Sequence, residues 1–147
     1  MSWLLGRPGD RADILGLRPE LAAAHTTLLE AVWAGPVPAT TLELCRLRMA
    51  QLLDARGAMA ERSPQAAALK TERVAALARW ATDPSFDDAE RACLAFTELF
   101  VVDHHSITDE QAAAVVTALG EPGFVALTTA LGVWENQHRF DIALGVS

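Results

Sequence analysis

The apolar residues of this chain recur at helical spacing almost from end to end, and no stretch alternates convincingly with the period of a strand. The clearest case is the stretch 38–53, where Leu42, Cys45 and Met49 form one stripe and further leucines extend it around the helix. A helix that is apolar on most sides belongs at the centre of a fold. The pattern therefore predicts an all-α protein built around residues 38–53.

Start and stop signals divide the chain into about seven helices, which form a single domain of residues 1–147 after a loose N-terminal segment at 1–17. Helices are expected over 19–34, 38–53, from 55 until Pro64 interrupts, 71–80, 87–102, 108–119 and 122–144. Gly132, inside the last of these, predicts close contact between two helices, because glycine is otherwise unfavourable there.

Polar residues at helix starts predict how several of these helices begin. Asp54 is expected to cap a helix that starts at Ala55. The pairs Asp87 with Glu90 and Thr108 with Gln111 have the spacing of capping boxes, in which two side chains satisfy each other's backbone N–H groups.

The composition excludes several classes of protein. A net charge of −7 does not suit a nucleic-acid binder, which needs a basic surface. No apolar run is expected to span a bilayer, and the opening "MSWLLGRPGD" lacks the features of a signal peptide, so a cytoplasmic location is expected. Hydrophobic residues make up 51% of the chain, and we expect the surplus apolar surface to be covered in a homo-oligomer.

Three segments carry a resemblance to a known family. "ELCRLRMAQLLDARGAMAER", which begins at Glu43, resembles the core of the carboxymuconolactone decarboxylase and alkylhydroperoxidase D (AhpD)-like family. "FDDAERACLAFTE" resembles that family's second helix start, and "NQHRFDIALGV" resembles its C-terminal ending. The resemblance covers roughly residues 19–146. It implies an AhpD-like helical domain that assembles as a trimer or hexamer.

The resemblance also implies that a redox motif has been lost. Redox-active members have a glutamate, eleven intervening residues and then Cys-x-x-Cys-x-x-x-His. Here Glu43 matches the glutamate, Ala55 and Ala58 fall on the cysteines, and Arg62 falls on the histidine. Alanine has no nucleophilic sulfur, so we expect no thiol peroxidase cycle at this position. The first hypothesis is therefore a binding or structural oligomer.

Glu43 has several interpretations. The resemblance implies a proton relay that has survived without its partners. Alternatively, Glu43 forms a capping box with Thr40, an ion pair with Arg46 at i, i+3, or an ion pair with Arg62 in place of the lost glutamate–histidine contact.

A second hypothesis is an acid–base lyase similar to the decarboxylase branch, which needs no paired cysteines. Glu43 would then move a proton, while His138, Arg62 or Arg139 would hold a carboxylate. His138 lies one turn from Trp134, on a helix face that could line a pocket, although a core or interface histidine with satisfied hydrogen bonds is the simpler interpretation.

The remaining reactive residues are given structural interpretations. Cys45 and Cys93 lie on apolar helix faces and are expected to pack in the core, although a third hypothesis retains thiol chemistry at Cys45. His104 and His105 are expected in a solvated turn. Neither a metal site nor a cofactor is implied, since no ligand cluster and no phosphate-binding loop occurs.

Overall fold

The computed structural model describes residues 2–146, and over this range the chain is all-α, as the apolar spacing predicts. Its seven α-helices are α1 (Arg11–Leu15), α2 (Pro19–Trp33), α3 (Ala39–Leu52), α4 (Arg56–Ala60), α5 (Thr71–Ala76), α6 (Asp88–Val102) and α7 (Asp109–Leu144). Single 3-10 turns occupy Pro64–Ala66, Leu77–Arg79 and His104–Ser106.

Helix α3 is the centre of the fold, as its apolar surface predicts. It packs against α4, α6 and α7, and α7 also packs against α2 and α6. Leu42, Leu44, Cys45 and Met49 are fully buried between these helices. Burying apolar surface on every side of α3 stabilises the helix far more than intrinsic propensity does. Any polar group on α3 must therefore find its partner inside the protein.

Two of the predicted capping boxes are present. The Asp87 carboxylate accepts from the Glu90 N–H at 2.8 Å, and Glu90 accepts in return from the Asp87 N–H at 3.1 Å. Thr108 and Gln111 form the same reciprocal pair at the start of α7. These boxes set where α6 and α7 begin.

Helix α7 is bent at the position where the sequence predicts a stop. Gly120 has a φ of 73° and a ψ of 169°, a conformation almost confined to glycine, and Pro122 begins the second part. Gly132 lies in that second part, but it is exposed, and a Cβ built on it meets no atom within 4 Å. The predicted close helix contact at Gly132 is therefore wrong, because this residue is on the outer face of α7.

The N-terminal segment is more ordered than expected. It contains α1, which starts with a capping box of Asp10 and Asp13. The Ser2 hydroxyl and the Trp3 indole N–H donate to carbonyl groups near the end of α7, each at 3.1 Å. Arg11 forms a bidentate ion pair with Asp141 of α7. The segment therefore packs along the C-terminal part of α7.

Helix α7 also has the length and composition that could cross a bilayer. An 18-residue window within it has a mean hydropathy of 1.4, which differs from the expectation that no stretch would pass this test. The buried face of α7 packs on α2, α3 and α6. The absence of a membrane partner stays a prediction.

Candidate functional site

The two alanines at the motif positions lie where α3 gives way to α4. Helix α4 begins at Arg56, so Ala55 is the residue just before it and Ala58 lies in its first turn. Both alanines are about 95% buried and pack with Ala50 and Met59. The motif positions therefore contribute only methyl groups to a small apolar contact between α3 and α4.

The predicted cap of α4 is wrong. Asp54 has a positive φ of 50° and an exposed side chain, and its carboxylate makes no capping hydrogen bond. Because the helix starts one residue later than expected, the residue in the capping position is Ala55. Asp54 is then too far from the free N–H groups of the first turn, and its nearest partner is the Arg56 Nε at 3.5 Å.

Glu43 and Arg46 form a buried ion pair on α3. Arg46 Nε donates to Glu43 Oε2 at 2.8 Å and Arg46 Nη2 donates to Glu43 Oε1 at 2.7 Å. Both side chains are more than 90% buried. Of the alternatives for Glu43, the ion pair at i, i+3 is the one present; Thr40 lies inside α3 rather than at its cap, and Arg62 is not the partner.

This ion pair also holds the segment that follows α3. Arg46 donates to the carbonyl oxygens of Ala58 at 3.1 Å and Glu61 at 2.9 Å, and Glu43 Oε1 accepts from the Ser63 N–H at 3.0 Å. A buried pair is stabilising only when its remaining hydrogen-bonding groups are satisfied, and these contacts satisfy them. The hydrogen bonds of Glu43 and Arg46 thus fix residues 58–63 against α3.

The carboxylate of Glu43 is held in its charged form. Burial alone raises the pKa of this group, but the hydrogen bonds and charge of Arg46 and the N–H of Ser63 together hold the pKa below its ordinary value. A general base or acid works best with a pKa near the working pH and within reach of its substrate. The lowered pKa of Glu43 does not meet the first of these conditions.

His138 is buried on the inner face of α7. Its side chain is 1% exposed, and within residues 2–146 neither ring nitrogen has a hydrogen-bond partner. Burial, reinforced by the nearby charge of Arg46, lowers the pKa of His138 to about 4. The imidazole is therefore neutral at physiological pH. The predicted core placement is therefore present, but the prediction that its hydrogen bonds are satisfied is wrong for the described residues, because α7 turns the ring into an apolar part of the core.

Neither of the two arginines considered for anion binding pairs with Glu43. Arg62 is exposed, and its Nη1 donates to the carbonyl oxygens of Met59 and Glu61 at 2.7 and 2.8 Å. Arg139 is exposed on α7 and pairs with Glu135 of the preceding turn. Glu43, Arg62 and His138 thus do not converge on one polar cavity.

Both cysteines lie in the core, as predicted. Cys45 and Cys93 are free thiols with no exposed surface. Burial raises the pKa of Cys45 and raises the pKa of Cys93 to about 12. A thiol reacts as the thiolate, so these two groups are nearly inert at neutral pH. Residual thiol chemistry at Cys45 is not supported.

The histidine pair after α6 is solvated, as the sequence suggests. His104 and His105 are exposed, with ring centroids 4.3 Å apart. In the part of the chain that the structure describes, no group of three or more histidine, cysteine or acidic side chains could hold a metal ion.

Two cavities flank the segment 55–64. The first, of about 270 Å³, lies between α1, α4 and the end of α7, and Ala55 and Ala58 form part of its wall. The second, of about 190 Å³, lies between α2, α7 and residues 61–64. Its walls include Trp33, Trp134, Arg62 and Gln137. Sequence reasoning noted Trp134 as a pocket residue but missed Trp33 and Gln137, which no motif marks.

Comparison with known proteins gives structural matches only. No protein-family model matches the chain, and no curated protein matches it in sequence. The structure superposes on that of ATU0492 from Agrobacterium tumefaciens, a protein of unknown function provisionally named an antioxidant defence protein AhpD, with a TM-score of 0.81. The two share 16% sequence identity over 95% of this chain and 97% of the other.

The debrominase Bmp8 is also similar in structure. A cysteine-to-alanine variant of Bmp8 in complex with 2,3,4-tribromopyrrole matches with a TM-score of 0.80, and Bmp8 without ligand matches with a TM-score of 0.78. Each match has 18% sequence identity and covers 90% of this chain and 73% of the Bmp8 chain. At these identities the likeness concerns architecture rather than activity. This chain has an AhpD-like all-α fold.

Proposed function

We propose that this protein is a binding protein of AhpD-like fold that has no thiol redox cycle. The observation that carries the proposal is the pair of buried methyl groups at Ala55 and Ala58, where the resemblance expects cysteines. The two cysteines that the chain does have are buried, with raised pKa values, and lie outside this segment. The protein therefore lacks an accessible thiolate to attack a peroxide or a disulfide.

The acid–base lyase is the weaker candidate. It needs Glu43 to exchange a proton with a substrate, yet both carboxylate oxygens accept hydrogen bonds from Arg46 and the side chain is 99% buried. His138 and Arg62 do not face Glu43 across a common cavity. No contact in the described residues favours this mechanism over simple binding.

Peroxide consumption tests the proposal. We expect the protein, supplied with dithiothreitol and cumene hydroperoxide, to consume no more peroxide than the Cys45→Ser/Cys93→Ser variant does. The Ala55→Cys/Ala58→Cys variant is the positive control for thiol access, and we expect a thiol reagent to label it faster than the native protein. Peroxide turnover by the native protein that is lost in the Cys45→Ser/Cys93→Ser variant would reveal a thiol cycle and contradict the proposal.

We further propose that the protein acts as a homo-oligomer in the cytoplasm, a trimer or hexamer by the family resemblance. Large apolar side chains on the surface support self-association; among them are Trp3, Leu17, Leu21, Leu28 and Val125. Light scattering coupled to size-exclusion chromatography would test this. A monomer of 15.8 kDa at micromolar concentration would count against it.

A further inference from the structure

The cavity between α2, α7 and residues 61–64 has the size of a single-ring ligand. Its volume of about 190 Å³ is below the roughly 300 Å³ at which drug-sized sites begin. Leu29, Trp33 and Trp134 form its apolar wall, and Arg62, Ser63 and Gln137 are among its polar residues. Arg46 and Glu61 also border the cavity, so its lining is more polar than that of most small-molecule sites and suits a ligand with a charged group.

Two tryptophans pack against each other at the apolar side of this cavity. The ring centroids of Trp33 and Trp134 lie 5.6 Å apart, with an angle of 51° between the ring planes. Trp134 is 99% buried and supports Trp33, which is half-buried and is therefore the indole that a ligand in the cavity can contact. Rigid indole faces favour planar, unsaturated ligands, which stack on them or meet them edge to face.

The charges around the cavity indicate whether it favours an anionic or a cationic ligand. Arg46 is neutralised by Glu43, as its two short hydrogen bonds show. Arg62 forms no ion pair with any carboxylate of residues 2–146; only its Nη1 is engaged, with backbone carbonyl groups. Its Nε and Nη2 can therefore donate to a ligand, and a guanidinium matches the two oxygens of a carboxylate.

The number of unpaired basic groups limits the charge of the ligand to one. Glu61 borders this cavity as well as the first one and adds a negative charge that makes no ion pair within the described part of the chain. Arg62 is the one arginine of the lining without a carboxylate partner in the described residues, and it matches one negative charge on a ligand rather than two. The geometry favours a monoanion whose carboxylate lies at the Arg62 side, away from the tryptophan wall.

We propose that this cavity binds a small aromatic monocarboxylate, with its ring against Trp33 and its carboxylate on Arg62. The inference rests on the proposed function, since it names the class of ligand that such a binding protein would take. It assigns the position of the lost motif histidine, now Arg62, to anion recognition. No chemical step on the ligand is involved.

The indole N–H signals of the four tryptophans give a direct test by NMR. We expect benzoate to shift the signals of Trp33 and Trp134 and to leave those of Trp3 and Trp80 unchanged, because the latter two lie elsewhere and donate to Ala143 and Glu98. Benzamide has the same ring without the charge and should bind about tenfold more weakly, the factor expected for a charge-assisted contact.

Matched variants separate the guanidinium from general charge effects. Arg62→Gln should bring the affinity for benzoate down to that for benzamide. Arg139→Gln and Arg56→Gln, each removing an exposed arginine outside this cavity, should leave it unchanged. Equal binding of benzoate and benzamide, stronger binding of benzylamine, or an affinity for benzoate that is unchanged in Arg62→Gln would each overturn the inference. Peroxide turnover would overturn the proposed function instead, so the two failures are distinguishable.

Discussion

At the scale of single residues, the feature with the highest cost of burial is the ion pair of Glu43 and Arg46, which lies on an apolar helix. Arg46 uses three of its nitrogens to reach Glu43, Ala58 and Glu61, so one side chain connects α3 to the segment after it. Removing one member of such a pair leaves the other charged and unsatisfied inside the protein, which costs more than the pair itself contributes.

We expect Arg46→Met to lower the free energy of unfolding by about 3–5 kcal/mol, because Glu43 would remain buried without its counter-charge. The Glu43→Leu/Arg46→Met variant should recover part of this loss, since neither charge remains. Arg48→Met is the control: Arg48 pairs with Glu98 near the surface and should cost about 1 kcal/mol or less. Urea denaturation measures all three. A single Arg46→Met variant as stable as Arg48→Met would contradict the role of the pair.

His138 predicts how stability depends on pH. Its pKa is about 4 in the folded protein, where burial is the largest cause, and about 6.5 in an unfolded chain. Between these values the unfolded chain binds the extra proton, so stability rises with pH through this window and is lost as the pH falls. The difference between the two pKa values corresponds to roughly 3 kcal/mol in the free energy of unfolding.

The measurement is the free energy of unfolding at several pH values between about 4 and 6.5, the window set by the shift of His138. His138→Leu should flatten the slope, whereas His104→Gln, at an exposed position, should retain it. Burial also lowers the pKa of His25, which contributes in the same direction, so the comparison is between variant and native protein. If the free energy of unfolding varied with pH to the same extent in His138→Leu and in the native protein, His138 would not be the source of the pH dependence.

At the scale of helices, the boundaries were predicted well wherever local chemistry decides them. Asp87 and Glu90, like Thr108 and Gln111, satisfy each other within four residues, so the sequence contains the whole interaction. The prediction that Asp54 caps α4 was wrong because the conformation of Asp54 depends on the tight turn between α3 and α4. In that turn the Ala55 N–H donates to the Ala50 carbonyl at 2.9 Å. The position of that turn follows from packing rather than from local sequence.

Replacement by alanine is expected to have opposite effects on stability at Gly57 and Gly120. Gly57 in α4 has an ordinary φ, and a Cβ there would meet no atom within 4 Å, so Gly57→Ala should stabilise the protein by about 0.4–1 kcal/mol. Gly120→Ala should destabilise it by about 1–3 kcal/mol, because the bend in α7 needs the positive φ. Thermal unfolding distinguishes them. Shifts of the same sign would mean that backbone conformation does not govern these positions.

At the scale of the whole molecule, the chain ends are packed together. Residues 2–15 lie along the C-terminal part of α7 and close one side of the 270 Å³ cavity beside Ala55 and Ala58. The partly buried pair of Arg11 and Asp141 is the main charged contact in this arrangement.

We expect Arg11→Gln to increase amide hydrogen exchange in residues 2–15, since the ion pair with Asp141 orders this segment. Exchange in α3 and α6, which belong to the core, should change little. Arg7→Gln removes an exposed pair with Asp13 and is the control. If exchange in residues 2–15 became faster to the same extent in both variants, or changed in neither, Arg11 would not be what orders this segment.

By itself, the sequence determined the fold class, the central position of α3 and the capping boxes. Each of these depends on spacing within one helix or on the identity of a single residue. Tertiary structure alone decided that Glu43 pairs with Arg46, that the ring of His138 has no hydrogen-bond partner within residues 2–146, and that Arg62 lines the same cavity as two tryptophans. The physical reason is that partner choice and burial depend on residues far apart in sequence, whose approach follows from the packing of α3 against α4 and α7.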